Sequence, residues 1–112
     1  MPSPMTTHVL DTSLGKPAAG LKIVLDHHSS GEWKTIGHGM TDDDGRIGDL
    51  LEGAIAKGHY RLTFNTANYF ELQNVKGFYP QVQIDFEIDN PDQHYHVPLL
   101  LNPFGYSTYR GS

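Results

Sequence analysis

Along four stretches of the chain, apolar and polar residues alternate with a period of two. In residues 81–88, Val82, Ile84, Phe86 and Ile88 stand on one side and Gln83, Asp85 and Glu87 on the other, which predicts a strand with one core face and one wet face. Residues 59–66 read the same way, with Tyr60, Leu62 and Phe64 inward, Arg61, Thr63 and Asn65 outward, and His59 exposed at the start. In residues 21–26, Leu21, Ile23 and Leu25 form a strongly apolar face, so this strand is expected at the centre of a sheet. In residues 94–101, Tyr95, Val97, Leu99 and Leu101 face the core, and His94, His96, Pro98 and Leu100 face away.

The remaining segments are weaker. Residues 6–11 form a short β-rich run with His8 at its centre, followed by turn composition in residues 12–17. Residues 33–40 carry two glycines, which predicts a bulge or a sheet edge, with His38 structural or exposed. His27 and His28 open a polar loop as solvated side chains, since neighbours on a loop rarely converge on one ion. Thr66 is expected to cap a short helix over residues 67–75, with Ala67, Phe70 and Leu72 packing on the sheet and Gly77 as its stop. Asn102, Pro103, Phe104 and Gly105 are turn chemistry, so residues 105–111 should return antiparallel beside the histidine strand. Seven or eight short strands and one helix predict an all-β chain: a two-sheet antiparallel β-sandwich, one domain over residues 1–112.

Composition narrows the function. A chain of 112 residues buries roughly two-thirds of its unfolded surface and folds without staples. Cysteine is absent, which removes disulfides, thiolate nucleophiles and thiolate metal sites. The net charge is -5 and the eight Lys and Arg residues are scattered, so no basic stripe invites nucleic acid or an anionic membrane. No apolar run approaches the ~18 residues of a membrane span, and residues 1–4 lack the start of a signal peptide. A cytoplasmic location is therefore expected, with periplasm and peroxisome left open.

Most catalytic signatures fail. The sequence around Ser107 lacks the second glycine of a nucleophile elbow, and Gly37-His38-Gly39 does not continue into a phosphate loop. Thr41-Asp42-Asp43-Asp44-Gly45-Arg46 is no calcium loop either, because Met40 and Leu51 fall where acidic ligands belong. It reads better as a tight turn through Asp44-Gly45 that delivers Arg46 onto a short strand. Histidine and arginine chemistry remains. His94 and His96 share a face, and with His8 they could form a three-histidine zinc site with an open fourth position.

Four segments go further: T-H-V-L-D at residues 7–11, T-D-D-D-G-R at 41–46, Y-H-V-P-L-L at 95–100 and Y-R-G-S at 109–112. In this order they resemble the 5-hydroxyisourate hydrolases, a family related to transthyretin. The resemblance implies the transthyretin fold, no cofactor or metal, and a homotetramer built as a dimer of dimers with the site in the channel between dimers. It also implies 5-hydroxyisourate as substrate and hydrolysis of a cyclic amide by water. His8, Arg46, His96 and Ser112 are carried over as catalytic residues, and His8, Arg46, Tyr109, Arg110 and Gly111 as substrate-binding ones. His96 is expected as general base and His8 as its partner, with the roles exchangeable. Arg46 would favour the neutral imidazole and stabilise an oxyanion, Ser112 would orient water or substrate, and Tyr109 would form pocket wall. His94 is expected as a neighbour of the site. The alternative from the same resemblance is a transthyretin-like carrier of a small ligand.

Overall fold

Alternating strands bury their apolar sides only by facing one another, and the chain does this with two four-stranded sheets. The computed structural model describes residues 4–51 and 53–111. Its elements are β1 (Met5–Asp11), β2 (Lys16–Pro17), β3 (Lys22–Ser29), β4 (Glu32–Met40), β5 (Gly58–Phe64), α1 (Thr66–Glu71), β6 (Val82–Ile88), β7 (Tyr95–Asn102) and β8 (Gly105–Thr108). The first sheet runs β2-β1-β7-β8 and the second β4-β3-β5-β6. Between them lie residues that the alternation assigns inward, Ile23, Leu25, Leu62, Phe64, Ile84, Ile88, Val97, Leu99 and Leu101, together with Val9 of β1, all buried. The sandwich is thus the expected one.

One pairing departs from the antiparallel expectation: β1 and β7 are parallel, from Met5 beside Tyr95 to Asp11 beside Leu101. A parallel pair needs a long crossover. Here the chain supplies it by building the whole second sheet before β7 returns. Strand β4 is an edge, as its glycines predict, and the register slips opposite Leu25 and Asp26.

Two local expectations are corrected. His27 and His28 are not in a loop, because β3 continues through them: His27 stacks on Tyr60 at 4.3 Å between ring centroids, and His28 packs on Trp33 at 4.9 Å. Aromatic cross-strand partners hold as strand what polarity alone reads as loop. Helix α1 is also shorter than expected. Its cap is Asn65, whose side chain accepts from the Asn68 N–H, while Thr66 is buried and donates its hydroxyl to the Tyr79 carbonyl at 2.6 Å. The helix ends before Gly77 because Asn74 takes φ of 57° and Val75 N–H turns back to the Phe70 carbonyl. Leu72 is consequently exposed, and the packing falls to Tyr69 and Phe70. The Tyr69 hydroxyl donates to the buried Asp11 carboxylate at 2.6 Å, which fastens the helix to the end of β1.

Candidate active site

The outer face of the first sheet collects the polar side chains that β1 and β7 turn away from the core. Parallel register sets Thr6 beside His96 and His8 beside Pro98, so His96 and His8 are diagonal neighbours on one surface. On the other side of β1, a single antiparallel bridge sets Arg46 directly across from His8. Partners across an antiparallel pair share a face. The fold therefore brings His8, Arg46 and His96 together from three distant parts of the sequence.

Arg46 is placed by the turn before it. The Asp42 carboxylate accepts from the N–H groups of Asp44 at 2.9 Å and Arg46 at 3.1 Å, and Asp42 N–H closes the loop on the Arg46 carbonyl at 2.9 Å. Gly45 has φ of 75° and lies against the Val9 carbonyl, so that a Cβ there would collide with it. Only glycine suits both the dihedral and the approach. The acidic cluster is thus a backbone template, which leaves the guanidinium exposed beside His8.

His96 is held on two sides. Its Nδ1 lies 2.8 Å from Thr6 Oγ1, and Gly111 N–H donates to its carbonyl at 2.8 Å. The imidazole edge rests on Gly111 so closely that a Cβ there would lie 2.5 Å from Cδ2. Among the described residues no hydrogen bond reaches Nε2, so this nitrogen is the one free to act. The His96 pKa is lowered, first by burial and then by the Arg46 charge, His8 and His94, against a smaller opposing effect of a hydrogen bond to the Thr6 backbone. A neutral imidazole can accept a proton at whichever ring nitrogen carries none.

The closing segment is divided. Residue 111 pairs with His96 in the same register that β8 keeps with β7. Regular pairing lapses at Tyr109, whose register partner Pro98 has no N–H to give. That register puts Tyr109 on the side of Pro98 and His96, and Arg110 on the opposite side. There the Arg110 guanidinium lies 4.5 Å over the Tyr95 ring and donates to Gln93 Oε1 at 3.1 Å. The side chains of His8, Arg46 and Arg110 are therefore not gathered in one place. A cleft of about 250 Å³ lies on the Arg110 side, between Ile84, Phe86, Tyr95 and Val97, and meets the histidine face only along its His96 and Tyr109 rim. Ser112 lies outside the described residues.

The three-histidine arrangement takes a different form. His94 Nε2 lies 3.1 Å from the same Thr6 hydroxyl that His96 engages, so one nitrogen of each ring is directed at Thr6. Among the described residues no group of three or more His, Cys, Asp or Glu side chains has the geometry to hold a metal ion. Thr6, Asp42 and Gly45 were not singled out as site residues by sequence reasoning. For Thr6 the available signal is its place two residues before His8 on one strand, which puts both on one face.

The profile of the HIUase/Transthyretin family matches residues 5–111. A 5-hydroxyisourate hydrolase of Salmonella typhimurium is 46% identical over 109 residues, covering 96% of this chain and 80% of the relative. Among solved structures, a Klebsiella pneumoniae 5-hydroxyisourate hydrolase superposes with a TM-score of 0.86 at 35% identity, covering 96% of this chain and 98% of that one. Sea bream transthyretin in complex with thyroxine superposes with a TM-score of 0.91 at 31% identity, covering 97% and 95%. By full-length sequence match and by fold, this chain belongs to the HIUase/Transthyretin family.

Proposed function

We propose that this chain hydrolyses 5-hydroxyisourate, opening a cyclic amide of its six-membered ring with water and without a metal. The observation that carries the reading is the convergence of Arg46 and His8 on His96, whose Nε2 has no hydrogen-bond partner among the described residues and whose charged form is disfavoured. Water at Nε2 gives its proton to the imidazole as its oxygen adds to the carbonyl carbon. The carbonyl π pair moves onto oxygen, where the Arg46 guanidinium stabilises the negative charge. Collapse of the adduct re-forms the carbonyl and breaks the C–N bond, and the leaving nitrogen takes the proton back from His96. His8, between Arg46 and His96, orients the substrate. Tyr109 and Gly111 flank the histidine, and Ser112 completes the catalytic set. The histidine face is open on a single chain, and a second dimer laid across it would make the expected channel of a homotetramer. A cytoplasmic location is proposed with it.

A carrier is the second reading, favoured by the superposition on thyroxine-bound sea bream transthyretin. Ultraviolet decay of freshly generated 5-hydroxyisourate separates the two. Chelator-treated protein should accelerate decay over the spontaneous rate, and His96→Ala should remove the acceleration. Absence of acceleration supports the carrier, and loss of activity on chelation would require a metal.

A further inference from the structure

The hydroxyl of Thr6 stands between two imidazoles, 2.8 Å from His96 Nδ1 and 3.1 Å from His94 Nε2. It has one proton to donate. Two bare ring nitrogens therefore cannot both be satisfied by it: for both contacts to be hydrogen bonds, at least one ring must present N–H to the oxygen. Two single-donor arrangements follow. In one, His96 Nδ1–H donates to Thr6, Thr6 donates to His94 Nε2, and His96 Nε2 is bare. In the other the sense is reversed, His96 Nε2 carries the proton, and the ring is no base. If both rings donate, His96 Nε2 is again bare.

We propose that Thr6 is a positioning residue that fixes His96 in the Nδ1–H tautomer, and that His94 is the outer anchor of the same hydrogen-bond chain. The proposal rests on the reading of His96 as general base. Free neutral histidine favours the Nε2–H form, so a base acting through Nε2 needs an acceptor at Nδ1 to reverse that preference. On the first sheet's outer face no carboxylate among the described residues does this for His96; the Thr6 hydroxyl lies 2.8 Å from Nδ1, and the Thr6 backbone adds a smaller hydrogen-bond effect that Thr6→Val leaves in place. His94, exposed just before β7, supplies the acceptor that leaves the hydroxyl oxygen's lone pairs turned to His96.

Three readouts test it on the intact protein. Nitrogen NMR of neutral wild-type His96 should show Nδ1 protonated and Nε2 bare; the opposite pattern overturns the proposal directly. Thr6→Val, which keeps the β-branched shape, should lower kcat about tenfold with KM within about twofold, while Thr6→Ser should recover most of the rate. His94→Phe should lower kcat by a smaller factor, about threefold. Wild-type kcat in Thr6→Val, or failure of Thr6→Ser to recover a lost rate, removes Thr6 from this role. His96→Ala separates the two claims: if it abolishes turnover while Thr6→Val keeps the wild-type kcat, only the positioning role falls. Full turnover in His96→Ala overturns the base reading and this proposal with it.

Discussion

The outer faces of the two sheets carry similar residues in opposite electrostatic states. On the second sheet, Arg61 lies 3.4 Å from Asp26 and 4.1 Å over the Trp33 ring, Thr35 donates to Asp26 at 2.6 Å, and His59 lies 3.1 Å from Asp85. There Arg61 and His59 each face a carboxylate. On the first sheet, Arg46, His8, His94 and His96 stand together, and among the described residues no carboxylate pairs with any of them. A paired face holds itself in place. An unpaired one opposes further positive charge, so the charged form of the imidazole at its centre is disfavoured and the guanidinium remains available to an anion.

The largest expected effect separates the faces by function. His96→Ala should lower kcat/KM about 10²- to 10⁴-fold, and His59→Ala should leave it within about twofold. Assays of the two variants side by side check this, and equal losses would mean that the comparison does not locate the site.

Arg46→Gln should cost about 10²- to 10³-fold in kcat, the scale of a lost oxyanion donor. It should also move the acid limb of activity. Arg46 lowers the His96 pKa, so its removal raises that pKa, and activity should begin to fall at a higher pH than in wild type. A rate-pH profile of the variant measures both.

Gly111→Ala brings a Cβ to 2.5 Å from His96 Cδ2 and should lower kcat about tenfold by turning the ring, with little change in Tm. The smallest effect on activity belongs to Asp26→Asn. It should leave turnover unchanged and lower stability by about 1–2 kcal/mol, because the partly buried Arg61 loses its counter-ion; denaturant unfolding gives the value.

Much of this fold is legible in the sequence because burial on one side of a strand writes itself as alternation. The strand containing Val82, Ile84 and Ile88 and the one containing Val97, Leu99 and Leu101 could be read residue by residue. What alternation does not encode is pairing. Nothing between residues 11 and 95 announces that β1 and β7 will lie parallel, yet that pairing alone sets Thr6 beside His96. His27 and His28 were misread for a related reason: their strand character comes from Tyr60 and Trp33 across the ladder, not from their own polarity. Of the site, His8, Arg46 and His96 were reached through motifs, and their proximity is a property of the fold. Thr6 escaped because a threonine in a β-rich run is what any strand contains.

The central claim is that burial and the unpaired positive groups lower the His96 pKa so that its neutral form serves as the base. Titrating the His96 ring by NMR and measuring kcat/KM for 5-hydroxyisourate over about pH 5 to 8 on the same protein tests it most directly. The account predicts that the two curves share a midpoint, lying below the ordinary histidine value of ~6.5. A flat rate profile, or an acid limb that does not follow the His96 titration, would contradict it.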